Sequence, residues 1–207
     1  MPRLLELFSG TGSIGECFKA HGWEVVSLDS DPLCGATVCT DILTFDYRVL
    51  GGEFDFVWAS PCCTQYSIAR SKAKSPRDLE GADALVRRAL EIIDHFKPRA
   101  WAIENPQSGL LKTREVVRGL PFVDFDYCSF GFPYRKRTRI WTNLEVSPPP
   151  LCKQDCAACE GGKHREWAQK ASKRRGEAGF KTRELGRIPR LLVEDIYDSV
   201  MALGSNR

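Results

Sequence analysis

The chain predicts an α/β fold built on a mostly parallel sheet. Short apolar runs alternate with helical stretches, the runs end in turns containing Gly or Pro, and the chemically active residues gather at those ends. Leu4 to Phe8 is the first strand. Ser9-Gly10-Thr11-Gly12-Ser13 is a Gly-rich turn, and Ile14 to Ala20 continues as a helix. Glu24 to Leu28 is a second strand, ending at Asp29. Phe54 to Ala59 is a third, ending at Ser60-Pro61. Ser67 to Asp78 is polar and basic without an apolar period, which reads as a mobile loop. Leu85, Ala89, Ile92 and Phe96 recur at helical spacing and place a helix from about Glu80 to Phe96. Lys97-Pro98 stops it, and Ala100 to Ile103 is the next strand.

Beyond Trp141 the character changes. Pro148-Pro149-Pro150 marks a break, and Cys152 to Gly186 is basic, Cys-rich and poor in apolar period. Ile188 to Met201 is amphipathic and should pack back on the sheet. Three regions follow: a core over 1–147, a small basic target-contact region over 148–183, and a C-terminal helix over 184–207.

With 207 residues, 43% hydrophobic and 28% charged, the chain is long enough for a substantial core. No run approaches the roughly 20 apolar residues of a membrane span. Met1 to Phe8 leads directly into the Gly-rich turn, so no secretory signal is expected. Nine cysteines without an export signal suggest metal ligands or catalytic groups in a reducing cytoplasm, rather than disulfides. The net charge of +3 names no partner, but its distribution is uneven. Between Lys163 and Arg190 the cations greatly outnumber Glu166, Glu177 and Glu184, which suits a polyanion, or simply a solvated basic helix.

Three segments carry chemistry. In the run Phe8 to Gly15, glycines let the backbone approach a ligand and the helix N-terminus favours negative charge. Asp29, about 20 residues on at a strand end, suits ribose hydroxyls. The alternative is a tight turn and a surface Asp. Ser60-Pro61-Cys62-Cys63-Thr64-Gln65-Tyr66-Ser67 places cysteines in a Pro-containing turn after a buried strand, where one reads as a nucleophile and the alternative is a structural pair. Glu104-Asn105-Pro106 ends the following strand. A thiolate and a carboxylate at neighbouring strand ends offer covalent attack with proton handling.

In the order of these motifs the chain resembles the C5-cytosine-specific DNA methyltransferase family, as a short member of phage or bacterial type. Leu5 to Gly12 looks like that family's cofactor loop, Asp41-Ile42 like its adenine-contacting pair, and Ser60 to Ser67 like its Pro-Cys segment. Glu104-Asn105 resembles its Glu-Asn-Val motif, Arg137-Thr138-Arg139 its Gln-x-Arg-x-Arg motif, and Leu185 to Ile196 its final motif. The resemblance implies a Rossmann-like S-adenosylmethionine-dependent methyltransferase fold. The donor would contact Phe8, Ser9, Gly10, Thr11, Gly12, Ser13, Asp29, Asp41, Ile42 and Ser60. The partner would be double-stranded DNA with a flipped cytosine, met by a cytoplasmic monomer without membrane contact.

The family's nucleophile precedes an aromatic-Ser pair and follows a strand Asp. Tyr66-Ser67 and Asp55 therefore both select Cys63. Cys62 then stands where the family keeps a proline, and it remains the alternative. The resemblance implies that Cys63 attacks C6, Glu104 hydrogen-bonds the base, Arg139 helps hold it, Arg137 holds a phosphate or the loop, and Asn105 fixes the nucleophile turn.

Cys152-x3-Cys156-x2-Cys159-x4-His164 has the spacing of a tetrahedral structural zinc site, in a segment too poor in apolar residues to fold without a cross-link. It sits where the family has a larger target-recognition region. Phosphate contacts from Lys170, Lys173, Arg174 and Arg175 are expected to dominate DNA binding. Three other readings remain: a tRNA cytosine methyltransferase on the same scaffold, an alkyltransferase using a carboxylated S-adenosylmethionine held by Arg187, and a zinc-stabilised nucleic-acid-binding protein without catalysis.

Overall fold

A computed structural model describes residues 1–166 and 182–204. The elements run β1 (Arg3–Leu7), α1 (Ser13–Ala20), β2 (Glu24–Asp29), β3 (Val38–Cys39), β4 (Phe56–Ala59), α2 (Leu79–Phe96), β5 (Ala100–Pro106), β6 (Phe122–Asp126), β7 (Arg137–Thr142), β8 (Cys159–Glu160), β9 (Lys163–His164), α3 (Thr182–Leu185) and α4 (Arg190–Ala202). The main sheet has the order β3-β2-β1-β4-β5-β7-β6. Its first five strands are parallel, and β7 runs antiparallel to both β5 and β6.

Parallel strands covered on both faces read as continuous apolar runs, and β1 and β4 are buried accordingly. One face carries α1 and α4, with Phe18, Trp23, Phe56, Trp58 and Ile196 in its core. The other face carries α2, with Leu5, Leu7, Val57, Ile92 and Trp141. Helix α2 begins because the Asp78 carboxylate accepts from Gly81 N at 2.8 Å. It ends at Lys97, which takes a left-handed φ of 45° and donates from its backbone N–H to Ile93 O.

The strands and helices expected from periodicity are present within a residue or two at most of their ends. The hairpin β6–β7 was not legible as a strand pair, because its alternation places charges rather than polar neutrals between apolar residues. Asp124 stands opposite Arg139 and Asp126 opposite Arg137 in the register. Both pairs are bidentate: Arg139 Nε and Nη2 reach Asp124 at 2.7 and 2.8 Å, and Arg137 Nε and Nη2 reach Asp126 at 3.0 and 2.7 Å. A register slip would break both. The segment 67–78, expected as a loop, contains a 3-10 turn over Ile68–Lys72, which Ser67 caps through Ala69 N at 3.2 Å. Lys170, Lys173, Arg174 and Arg175 lie outside the described residues.

Candidate active site

The carboxyl ends of β3, β2, β1, β4 and β5 face the same edge of the sheet, where ligands bind in open α/β sheets. The β1–α1 turn bends through left-handed φ at Phe8 (58°), Gly10 (51°) and Gly12 (72°). Gly10 N donates to Asp29 Oδ2 at 2.8 Å, and Asp31 N donates to Asp29 Oδ1 at 2.9 Å. Asp29 thus ties the first turn to the end of β2, with lone pairs remaining for a ligand hydroxyl. Thr11 and Ser13 share a hydroxyl hydrogen bond of 2.8 Å. Ile188 N reaches Ser13 Oγ at 3.3 Å, which lays the exposed Arg187 close to the Gly-rich turn. Asp41 is exposed and accepts from Leu43 N at 2.9 Å, while Ile42 is buried. Ser60 Oγ accepts from Trp58 Nε1 at 2.8 Å. The concave turn, the following helix N-terminus and these strand-end acids fit a nucleoside-bearing donor.

The loop that carries Cys62 and Cys63 is tied down at several points. Asn105 Nδ2 donates to Pro61 O at 2.8 Å. Tyr66, fully buried, donates from its hydroxyl to Asp83 at 2.8 Å, and its carbonyl accepts from Leu110 N at 3.0 Å. Arg114 clamps Asp83 through Nε and Nη2, at 3.0 and 2.7 Å from Oδ2. Gln65 Oε1 accepts from Asp78 N at 3.1 Å.

Cys63 exposes surface, yet surrounding protein raises its thiol pKa first, and the Glu104 charge raises it further. Lys136 opposes both. The Cys62 thiol donates instead to Thr64 Oγ1 at 3.2 Å. Glu104 is 6% exposed, and its Oε1 collects donors: Thr138 Oγ1, Tyr127 OH at 3.3 Å, and the Lys136 ammonium at 3.9 Å. None of these three goes to Oε2, which leaves that oxygen for an incoming group. Lys136 also lies over the Tyr127 ring at 4.7 Å and donates to Leu185 O at 3.0 Å.

Cys63, Glu104 and Asn105 are brought together; the two arginines are not part of that group. Glu104 pairs with Ile140 in the register and Asn105 with Arg139, so alternation puts Arg139 on the sheet face opposite Glu104. There Arg139 binds Asp124 and lies 3.5 Å from the Phe122 ring centroid. Lys136, Tyr127 and Thr138 were missed in the sequence. They were findable only by knowing that β7 runs antiparallel between β5 and β6, which puts the end of β6 and the start of β7 beside the end of β5.

The Cys/His segment forms a compact knot. β8 and β9 pair across Gly161-Gly162, both at positive φ, as a two-residue hairpin turn of mirror type requires. Four ligand atoms lie within 4.8 Å of one another: the sulfurs of Cys128, Cys152 and Cys156, and a His164 nitrogen. Cys159 stands beside them, its sulfur 3.6 Å from that of Cys156. Cys128, which follows β6, was not anticipated.

Compared with known proteins, no family model matches. The chain is 34% identical over 216 residues to a probable DNA (cytosine-5)-methyltransferase of Frog virus 3, covering 95% of this chain and 99% of that protein. It is 23% identical over 165 residues to the type II methyltransferase M.AgeI of Thalassovita gelatinovora, covering 65% and 38%. A putative DNA modification methyltransferase encoded within a prophage of E. coli superposes with a TM-score of 0.54 at 14% identity, over 73% of this chain and 52% of that one. The Entamoeba histolytica methyltransferase EhMeth gives 0.52 at 14%, over 74% and 58%. These two structures share the fold, and the chain spans a little over half of each. With about a third of its residues shared with the Frog virus 3 protein over nearly the full length of both, the chain belongs to the DNA (cytosine-5)-methyltransferase family.

Proposed function

We propose that the protein transfers a methyl group from S-adenosylmethionine to C5 of a cytosine in double-stranded DNA, through a covalent bond between Cys63 and C6. The observation that carries this reading is the meeting of Cys63, Glu104 and Lys136 at the ends of β4, β5 and the start of β7. The C5 atom is inaccessible inside a duplex, so the base must leave the stack. Glu104 Oε2 is the oxygen free to meet the base edge, while Thr138 and Tyr127 fix the carboxyl through Oε1. Cys63 loses its proton and adds to C6, which makes C5 electron-rich. The bound donor supplies an electrophilic methyl group. Loss of the C5 proton then expels the Cys63 thiolate and restores the aromatic ring.

The Phe8–Ser13 turn, Asp29, Asp41, Ile42 and Ser60 are the residues that would hold the donor. In this reading Arg139 supports the β6–β7 hairpin rather than the base, and Lys136 supplies the cation beside the carboxylate. The Cys/His knot holds a structural zinc ion, supported by its mutually close soft ligands. Phosphate contacts fall to the basic region around Lys170, Lys173, Arg174 and Arg175.

Incubation with labelled donor and either duplex DNA or tRNA tests the substrate. Label in DNA, abolished by Cys63→Ser and retained by Cys62→Ser, is expected. Label only in tRNA overturns the DNA reading. A covalent complex with 5-fluorocytosine DNA that survives Cys63→Ser overturns the nucleophile. A product heavier than one added methyl group points to the carboxylated donor, which the position of Arg187 beside the Ser13 turn would suit.

A further inference from the structure

The spacing of the Cys/His segment suggests that it supplies all of its own ligands. The structure groups them differently. The Cys152 sulfur lies 3.6 Å from His164 Nε2, and the Cys156 sulfur 3.4 Å from the same atom. A tetrahedral ion with Zn–S of about 2.3 Å and Zn–N of about 2.0 Å requires S···N near 3.6 Å and S···S near 3.8 Å. The fourth atom within the mutual 4.8 Å limit is the sulfur of Cys128. That cysteine is 7% exposed and packs with Cys152, Ala158 and Cys156 in a small cluster of its own, apart from the two cores of the sheet.

Cys128 belongs to the catalytic sheet. It sits in the 3-10 turn Tyr127–Phe130 directly after β6, closed by Gly131 at a φ of 88°. A second tie runs in parallel: Cys152 N donates to Asp126 Oδ2 at 3.0 Å, on the same carboxylate that Arg137 clamps. The Cys152 sulfur in turn accepts from Gln154 N at 3.2 Å, where Gln154 adopts a left-handed φ of 71°. Backbone N–H groups aimed at sulfur favour a thiolate.

Resting on the zinc reading above, we propose that Cys128 completes a tetrahedral zinc site with Cys152, Cys156 and His164, and that Cys159 is not a ligand. The ion then does more than fold a small knot. It fastens the basic segment to the turn whose first residue, Tyr127, donates to Glu104. Four protein ligands leave no open position, so the site is structural.

Metal content and the cobalt(II) form, measured without DNA or donor, test this separately from methyl transfer. One zinc per chain is expected in the wild type and in Cys159→Ser, with the same thiolate-to-cobalt absorption in both. Cys128→Ser should lose its metal, or keep it with that absorption lowered by about one third as three thiolates become two. Circular dichroism reports whether each variant folds. If Cys128→Ser does not fold, Cys159→Ser still decides: unchanged absorption supports the ligand set, and a drop of about one third overturns it. A wild type without metal, or with Cys156 and Cys159 joined as a disulfide, overturns the zinc reading itself.

Discussion

Asn105 donates from Nδ2 to the Pro61 carbonyl oxygen at 2.8 Å, so the strand end that carries Glu104 also holds the loop that carries Cys63. Both groups are buried, and truncating the donor leaves a buried carbonyl unpaired. Asn105→Ala should therefore let the thiol drift from the carboxylate without touching the donor site. The expected result is a fall of about 10²-fold in single-turnover methyl transfer, with donor affinity unchanged. Equal losses in both would place Asn105 in overall stability rather than in positioning the thiol.

The thiol of Cys63 has a raised pKa, caused first by the surrounding protein and then by Glu104, with Lys136 opposing. In the free protein it therefore stays protonated through neutral pH, and its alkylation should accelerate about tenfold per pH unit across that range. Glu104→Gln removes a negative charge and should speed alkylation of Cys63 at pH 8. Lys136→Met removes the opposing cation and should slow it. Iodoacetamide labelling, read at the Cys63 peptide by mass spectrometry, checks both directions. A rate in the wild type that levels off below pH 8 would contradict the raised pKa.

Strands β1, β2, β4 and β5 were legible because they are rich in apolar residues and end in turns with special backbone needs, whereas the two-residue β3 was not. Leu4, Leu5 and Leu7 are interrupted only by Glu6, and Gly10 and Gly12 mark the turn by the left-handed φ they adopt. Cys63 and Glu104 stood out as candidates for a related reason: Cys63 lies in the turn after β4, and Glu104 lies in the last residues of β5. The residues around Glu104 did not. Tyr127, Lys136 and Thr138 reach it only through the antiparallel return of β7, and nothing local announces that pairing. The partners of the arginines were equally hidden: Arg137 and Arg139 stood out through the resemblance to a family motif, and only the register shows Asp126 and Asp124 directly opposite them. Cys128 was hidden by distance in sequence: the Cys/His cluster in 152–164 announces itself by spacing, and a cysteine more than twenty residues earlier does not.

Tyr66 anchors the far end of the Cys63 loop on helix α2. Its hydroxyl donates to Asp83 at 2.8 Å, and although burial pushes the Asp83 pKa up, the hydrogen bonds from Arg114 and Tyr66 bring it below the ordinary carboxylate value. Tyr66→Phe keeps the ring and the Asp83–Arg114 pair but removes one buried hydrogen bond. It should cost about 1–2 kcal/mol in urea unfolding. Asp83→Asn should be worse, because Arg114 loses its counter-charge while the Tyr66 hydroxyl keeps an acceptor. Because the folded-state pKa of Asp83 is depressed, its contribution is present above the ordinary carboxylate pKa and is lost as pH falls through the depressed value. Wild type and Asp83→Asn should therefore converge in stability in strong acid. A constant gap from pH 7 down to pH 2 would show that Asp83 acts through packing alone.

Glu6 lies beside the Gly-rich β1–α1 turn, 2% exposed on β1, with its carboxyl accepting from Gly15 N at 3.2 Å. A Cβ at position 15 would come within 2.6 Å of Glu6 Oε2 and push that carboxyl aside. Burial raises the Glu6 pKa to about 7, while the Gly15 and Ile14 backbone N–H groups work against the shift. The folded protein thus binds more protons than the unfolded chain between the ordinary value of 4.5 and about 7. Stability from this group is full below 4.5 and is lost as pH rises through 7. Glu6→Gln keeps an acceptor for Gly15 N and removes the buried charge. It should stabilise the protein at pH 8 by up to about 3 kcal/mol and leave it near wild type at pH 5. Urea unfolding at the two pH values separates these outcomes. An equal change at both would mean that the carboxyl titrates at its ordinary value, and that the turn is held by shape rather than by a proton.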